Sequence, residues 1–304
     1  MRLAVQTVKA IEDQMKADQG NAFRYWLQRV LPHMGDAYRQ DEAGHRAHLG
    51  ASVIGGSCPR DIWYSFRWAK LLKFDGRLLR LFNRGHLEEA RFIACLLAIG
   101  VEVFQQDATG KQFRINDVDG HFGGSGDGIA RGIPDLGPDQ YVLLEFKTHN
   151  RKSFDTLKAQ GVRSAKPEHY VQMNIYMRKM GLAVALYMAV CKDTDEIHAE
   201  LVELDPECAD MYLERAKNII WLSKPPQGVS DNAGYWECRY CDYRRLCHMG
   251  DTSEVDRNCR TCQHGRVAAG GVFECARDGH RLDVAAQHAA CEHYRIGEAF
   301  SRGV

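Results

Sequence analysis

The chain has 304 residues, of which 45% are hydrophobic and 26% are charged, the ordinary composition of a soluble protein. Its length suggests two domains, or one domain with appendages. The longest apolar runs, 92–101 and 181–191, are shorter than the roughly 18 residues that predict a membrane span, so we expect no membrane partner. The 40 Lys and Arg residues equal the 40 Asp and Glu residues, so no global positive field attracts nucleic acid and any such site must be local. No signal-peptide pattern is found, and we expect a cytoplasmic protein.

The first predicted elements are helical. Apolar residues at helical spacing predict helices in an N-terminal arm, residues 1–48. An aromatic helix is predicted over residues 60–72. Another helix is predicted to begin after Asn83, interpreted as its N-cap, and to end at Gly100.

The middle of the chain alternates strands and helices. The strands are predicted at 101–105, 113–118, 141–147, 182–191 and 198–204, and the later helices at 167–180 and 206–222. This order predicts an α/β fold, a sheet covered by helices. A break at Pro225 and Pro226 precedes a cysteine-rich segment, so we predict a core over residues 49–250 and a tail over residues 251–304.

One predicted strand carries two charges. In the apolar run Leu143 to Lys147, alternation puts Glu145 and Lys147 on one face, where a buried pair would be costly unless a cation or ligand compensates it. Asp127 lies eighteen residues upstream among glycines, where the backbone can approach a ligand. These carboxylates are the hard oxygen ligands of Mg²⁺ or Mn²⁺. The chemistry fits phosphodiester hydrolysis, with Lys147 orienting the nucleophile or stabilising negative charge.

The order Asp127, then Glu145-Phe146-Lys147, resembles the PD-(D/E)XK nuclease superfamily. The resemblance is to its RecB-like branch, which includes phage exonucleases and CRISPR-associated iron–sulfur nucleases. It implies a restriction-endonuclease-like core, a mixed central sheet flanked by helices. It also implies that Asp127, Glu145 and the backbone carbonyl of Phe146 bind the metal and that Lys147 is catalytic.

The resemblance extends to the flanking helices. Gln172 and Tyr176, one turn apart on one helical face, match the assisting Gln-x-x-x-Tyr motif of the family. The helical carboxylate of the family selects Glu89, and the adjacent Glu88 stays open. The proline of the family name is Gly126 here, a position that does no chemistry.

The predicted function is therefore that of a metal-dependent deoxyribonuclease, an exonuclease that acts on DNA ends in recombination or DNA processing. A bacterial or phage-infected bacterial cell is the expected setting. The alternative is a catalytically inactive nucleic-acid-binding or regulatory protein on a nuclease fold. The sequence leaves strand polarity and oligomeric state open, because a ring-forming exonuclease and a monomer would look alike.

A local basic stretch follows the predicted strand. It carries six basic and two acidic residues between positions 147 and 169, which suits a contact with the DNA backbone. A solvated charged loop is the alternative. The residues are Lys147, Arg151, Lys152, Lys158, Arg163 and Lys166, against Asp155 and Glu168.

Eleven cysteines, an odd number in a reduced compartment, favour metal binding over disulfides. The spacing Cys238-x2-Cys241-x5-Cys247 supplies three thiolates, and Cys58 can supply the fourth. The resemblance to iron–sulfur nucleases implies a [4Fe-4S] cluster on these four residues. Zn²⁺ at a tetrahedral site is the alternative.

The tail carries a second cysteine set. Cys259-x2-Cys262, followed by Cys275 and Cys291, is typical of a structural Zn²⁺ site. His280 is the alternative to one of these ligands. A segment this short cannot build its own core, so we expect zinc to stabilise it.

Overall fold

The computed structural model describes residues 1–38 and 44–301. The strands are β1 (Arg2–Leu3), β2 (Leu49–Gly50), β3 (Glu102–Phe104), β4 (Arg114–Asp117), β5 (Phe122–Ser125), β6 (Gly128–Arg131), β7 (Tyr141–His149), β8 (Val184–Cys191), β9 (Ile197–Glu203), β10 (Gly265–Ala268), β11 (Val272–Cys275) and β12 (Arg281–Leu282). The helices are α1 (Val5–Asp18), α2 (Asn21–Val30), α3 (Gly35–Tyr38), α4 (Pro59–Phe66), α5 (Gly76–Ala98), α6 (Arg151–Gln160), α7 (Val162–Ala165), α8 (Pro167–Met180), α9 (Pro206–Trp221), α10 (Trp236–Arg239), α11 (Arg244–Met249), α12 (Val284–Ala289) and α13 (Glu298–Ser301).

The chain forms two compact units, each assembled from separated segments. The described residues of 1–42, 74–115 and 125–210 form unit 1, and those of 43–73, 116–124 and 211–304 form unit 2. These units do not coincide with the predicted segments 1–48, 49–250 and 251–304, because residues that are far apart in the sequence pack together within each unit. The division by function stays a prediction. None of the helices in the described ranges combines the length and apolarity needed to cross a membrane.

Unit 1 is built on a mixed sheet of order β1-β9-β8-β7-β6-β3. β7 and β8 run parallel, whereas the neighbouring pairs β6–β7 and β8–β9 are antiparallel. α5 and α8 pack on β7, and α1 packs on β9. The predicted α/β class, a mixed sheet flanked by helices, is confirmed.

β7 is an inner strand because its sequence is almost continuously apolar, the pattern of a strand covered on both faces. Leu143 and Leu144 are completely buried, and Phe146 stacks on Phe92 of α5 with ring centroids 5.0 Å apart. Every residue of β8 is buried as well. This packing places the charged positions of β7 inside unit 1.

Two helix boundaries differ from the prediction. α5 begins at Gly76, where the Asp75 side chain caps it by accepting a hydrogen bond from the Leu78 amide at 2.8 Å. Asn83 is therefore inside the helix, and its side-chain amide donates to the Ala37 carbonyl at 2.8 Å. The aromatic helix α4 ends at Phe66, six residues early, because Trp68 adopts a positive φ of 54°.

Unit 2 joins the C-terminal segment to residues 44–73. Its sheet of order β10-β11-β12 is antiparallel, and β2 pairs in parallel with β5. The side chain of Arg260, 1% exposed, donates hydrogen bonds to the carbonyls of Phe66 and Ala47 and to the Gln287 amide oxygen. Its guanidinium carbon lies 3.8 Å from the centre of the Trp68 ring. The predicted tail is thus an integral part of unit 2.

Candidate active site and cysteine sites

The candidate active site of unit 1 starts from the two charged residues of β7. Glu145 lies opposite Tyr187 of β8, and Lys147 lies opposite Ala189. The Lys147 ammonium forms an ion pair with Glu145 Oε1 and also donates to the Phe146 carbonyl at 3.2 Å. The predicted catalytic lysine and two predicted metal ligands are therefore neighbours.

Asp127 reaches this cluster from the loop before β6. Its Oδ2 accepts a hydrogen bond from the Phe146 amide at 2.7 Å. Desolvation, and then the charge of Glu145, raise the pKa of Asp127 well above its ordinary value. Two carboxylates that repel each other in a poorly solvated site are a suitable place for a cation.

Glu145 provides the test of whether a cation fits. Its side chain is completely buried, and its Oε2 has no hydrogen-bond partner within the described ranges. Burial raises the pKa of Glu145, although the Lys147 ammonium opposes this shift. An unpaired buried carboxylate oxygen is costly, and a divalent ion would offset that cost.

The alternatives Glu88 and Glu89 face different neighbours. The charge of Glu89 acts on Asp127, Glu145 and Lys147, raising the pKa of each. Glu88 instead pairs with Arg91, with Nε 3.0 Å from Oε1. The geometry therefore favours Glu89, and its catalytic role stays a prediction.

The predicted Gln/Tyr pair of α8 also belongs to this neighbourhood. Gln172 and Tyr176 are buried, at 8% and 2% exposure, one turn apart on α8. Burial, followed by the charges of Glu145 and Asp127, raises the pKa of Tyr176. The phenol is therefore a neutral hydrogen-bonding group close to the carboxylates.

A neighbouring hydrogen-bond network was missed by the sequence analysis. The Tyr187 hydroxyl lies 3.0 Å from His149 Nε2 and 3.0 Å from His169 Nδ1, and His149 Nδ1 lies 3.1 Å from Ser153 Oγ. Burial lowers the pKa of His149 to about 4 and that of His169 to about 3. Since one phenol proton can serve one imidazole, the other imidazole donates to the phenol oxygen. The members come from β7, α6, β8 and α8, so no local motif could have indicated them.

The basic stretch carries less free charge than its composition predicts. Arg151 pairs with Asp155 at 2.9 Å, Lys158 pairs with Glu196, and Arg163 pairs with Asp205 at 3.4 Å. Glu196 lies between β8 and β9, and Asp205 follows β9, so neither was included in the count between positions 147 and 169. The contact with DNA stays a prediction.

In unit 2, Cys58, Cys238, Cys241 and Cys247 are neighbours. Burial first, and then the charges of Cys58 and Cys247, raise the pKa of Cys238. Burial, with smaller contributions from the same two thiols, raises the pKa of Cys241 to about 12. The Arg60 guanidinium donates to Cys247 Sγ at 3.3 Å, so a cation borders this cysteine set.

The second set, Cys259, Cys262, Cys275 and Cys291, lines one cavity of about 230 Å³. Burial, followed by the other three thiols, raises the pKa of Cys259 to about 11. The alternative ligand His280 is not among the lining residues; its Nδ1 pairs with Asp278 at 3.2 Å and its side chain is 80% exposed. The donor set of this cavity therefore suits zinc with four cysteines.

The turn after the Cys259-x2-Cys262 pair depends on a glycine. A Cβ at Gly265 would lie 1.9 Å from the Cys259 carbonyl oxygen. The Gly265 amide donates to the Cys262 carbonyl at 3.0 Å. Within residues 1–38 and 44–301, no three His, Cys, Asp or Glu side chains form a ready-made metal-binding group. Metal binding at the carboxylates and at both cysteine sets stays a prediction.

Comparison with known proteins gives distant likenesses only. No protein-family model matches the chain, and no curated protein matches it. Similar solved structures include that of SSO0001, with a TM-score of 0.39 and 18% identity over 75% of this chain and 96% of that chain. They also include LHK-Exo, an alkaline exonuclease from Laribacter hongkongensis, with a TM-score of 0.39 and 16% identity over 64% of this chain and 90% of that chain. Its complex with dAMP matches with the same score and identity over 57% and 86%. Likenesses at this score do not assign a function.

Proposed function

We propose that the chain is a divalent-metal-dependent deoxyribonuclease of the PD-(D/E)XK type that hydrolyses phosphodiester bonds. The observation that carries the proposal is the buried Oε2 of Glu145, which has no hydrogen-bond partner among residues 1–38 and 44–301, next to Asp127 and Lys147. A purely structural ion pair between Glu145 and Lys147 would not require a second buried carboxylate, Asp127, whose burial beside Glu145 is costly.

Asp127, Glu145 and the Phe146 carbonyl would hold Mg²⁺ or Mn²⁺. Such an ion, when bound, polarises the phosphate and lowers the pKa of water. Lys147, held by Glu145 and the Phe146 carbonyl, keeps its positive charge because the neighbouring carboxylates raise its pKa against the opposing effect of burial. It is thereby suited to orient the nucleophile and to stabilise negative charge on the phosphate.

The remaining residues position this cluster. Tyr176 and Gln172 fix the side of the site formed by α8, and Glu89 of α5 adds a third carboxylate. We propose an exonuclease that acts on DNA ends in recombination or DNA processing, in the cytoplasm of a bacterial or phage-infected cell. Two observations support this finer assignment. The motif residues follow one another in the expected order from Asp127 to Tyr176, and they lie close together in unit 1.

The test is digestion of 5′-labelled and 3′-labelled linear DNA and of circular DNA, with Mg²⁺ or Mn²⁺. We expect metal-dependent release of label from linear DNA and little loss of circles. Glu89→Gln and Glu88→Gln form a matched pair, of which the first should lose activity and the second should keep it. DNA binding without cleavage of any substrate would instead support the inactive nucleic-acid-binding alternative.

We also propose that Cys58, Cys238, Cys241 and Cys247 hold a [4Fe-4S] cluster, with Zn²⁺ as the alternative, and that the second set holds structural Zn²⁺. Protein purified without oxygen should be brown, absorb near ~400 nm and contain about four irons per chain. Cys58→Ala should lose the colour, whereas Cys95→Ala, with a thiol buried in α5, should retain it. Colourless protein with two zinc ions per chain, one of them lost in Cys58→Ala, would replace iron–sulfur by zinc.

A further inference from the structure

Unit 2 contains a cavity of about 510 Å³ in which positive charge predominates. The described residues of its wall include four cations and one carboxylate, namely Arg67, Lys224, Arg260 and Arg266 against Glu298. The volume is in the range of small-molecule binding sites. The wall also includes Cys262, so the cavity borders the second cysteine set, and its described lining residues include none of the proposed active site.

Arg67 is buried, and its hydrogen bonds are only partly satisfied by the described residues. It is 5% exposed, and one terminal nitrogen donates to the Leu222 carbonyl at 2.7 Å. Its Nε is buried and has no hydrogen-bond partner in the part of the chain that the structure describes. The rings of Trp63 and Phe273 lie 5.3 and 5.4 Å from its guanidinium carbon. Aromatic faces attract a cation, yet they do not replace an oxygen acceptor for the N–H group.

The second buried guanidinium in the wall has neutral partners too. Arg260 donates to two backbone carbonyls and to the Gln287 amide oxygen, which satisfy its hydrogen bonds without neutralising its charge. Burial, and then the charge of Arg266, lower the pKa of Arg67 to about 10. Like charges held together in a poorly solvated wall favour the entry of an anion.

We propose that this cavity binds a phosphate group, carried by inorganic phosphate or by a nucleotide. Guanidinium groups from several directions match the tetrahedral oxygens of phosphate, and the buried Arg67 adds a positive charge to the wall that the Leu222 carbonyl does not neutralise. The aromatic rings do not indicate recognition of a base, because Trp63 and Phe300 pack against each other at 5.3 Å. The argument does not depend on the proposed nuclease activity.

The test is calorimetric titration of the full chain in buffer without added divalent ions, so that phosphate held by a metal at the candidate active site does not contribute. The probes are inorganic phosphate, a 5′-mononucleotide and the corresponding nucleoside. We expect saturable binding of the two phosphate-bearing probes and none of the nucleoside. Tighter binding of the mononucleotide would identify a nucleotide as the source, and equal affinities would identify the phosphate group alone.

Two sets of variants locate the site. Arg67→Lys keeps the charge but removes the planar guanidinium group, and we expect its Kd for phosphate to rise about tenfold. The double variant Arg266→Ala with Lys224→Ala changes exposed residues of the wall and should weaken binding by a similar factor. Lys217→Ala, an exposed cation of α9 outside the cavity, should leave the Kd unchanged. Absence of saturable phosphate binding by the folded protein, or an unchanged Kd in the double variant, would overturn the proposal, even where Arg67→Lys fails to fold.

Discussion

The two compact units hold buried charge in different ways. In unit 1, Glu145 is paired with Lys147 two positions along the same strand, and apolar neighbours of β7 build the surrounding core. In unit 2, Arg260 is held by oxygens from three separate stretches of chain. A charge paired within one strand links no distant segments, whereas a charge that joins distant segments supports the fold itself. We therefore expect substitutions in unit 1 to affect chemistry and those in unit 2 to affect stability.

The largest expected effect is on cleavage. Asp127→Asn and Glu145→Gln keep the side-chain shape but remove a carboxylate, and we expect each to lower metal-dependent cleavage about a thousandfold. The urea midpoint should change little in Asp127→Asn, because the amide replaces a carboxylate that is costly to bury, whereas Glu145→Gln also removes the ion-pair partner of Lys147 and should lower the midpoint. Rates equal to those of the unmodified protein in both variants would contradict the nuclease assignment.

The counterpart in unit 2 is Arg260→Met. It leaves the carbonyls of Phe66 and Ala47 and the Gln287 oxygen without their donor, so we expect the free energy of unfolding to fall by about 3–5 kcal/mol. Urea unfolding monitored by tryptophan fluorescence measures this loss. The control Arg239→Met changes an exposed arginine of unit 2 and should stay within about 0.5 kcal/mol of the unmodified protein. Equal stability of the two variants would remove the proposed contrast between the units.

Gly265→Ala sharpens the comparison at the second cysteine set. Its Cβ would collide with the Cys259 carbonyl, so the turn between Cys259 and Cys262 must open. We expect a loss of about 3 kcal/mol in stability and of one zinc per chain, measured by metal analysis after gel filtration. In the control Gly137→Ala, the added methyl meets no atom within 4 Å. Retention of all metal in Gly265→Ala would show that this turn does not hold a ligand pair.

The smallest expected effect is a pH dependence in unit 1. Burial lowers the pKa of folded His149 to about 4 from the ordinary 6.5. Below pH 6.5 the unfolded chain binds a proton that the folded chain does not, so this contribution to stability is complete above pH 6.5 and is lost as the pH falls towards 4. We expect His149→Gln to reduce the difference in unfolding free energy between pH 7 and pH 4 by ~2–3 kcal/mol. An unchanged difference in His149→Gln would assign the acid sensitivity to other groups.

The sequence by itself determined the parts of the protein that depend on local periodicity. Alternation along β7 put Glu145 and Lys147 on one face, helical spacing joined Gln172 to Tyr176, and apolar runs predicted the strands of a mixed sheet. It also grouped the later cysteines by their spacing. These features are short-range because the repeat of a strand or a helix fixes which side chains share a face.

Only the tertiary structure decided which distant residues meet. The charge of Glu89 acts on Asp127 and Glu145 whereas Glu88 pairs with Arg91, a difference that two adjacent glutamates in the sequence cannot reveal because it depends on how α5 packs on β7. Residues 44–73 joined the C-terminal segment through Arg260, and the burial of Arg67 created the basic cavity, although both arginines look like ordinary surface residues in the sequence. The physical reason is that burial and electrostatic neighbours arise from loop closure over long separations, whereas the local pattern specifies only the elements that are brought together.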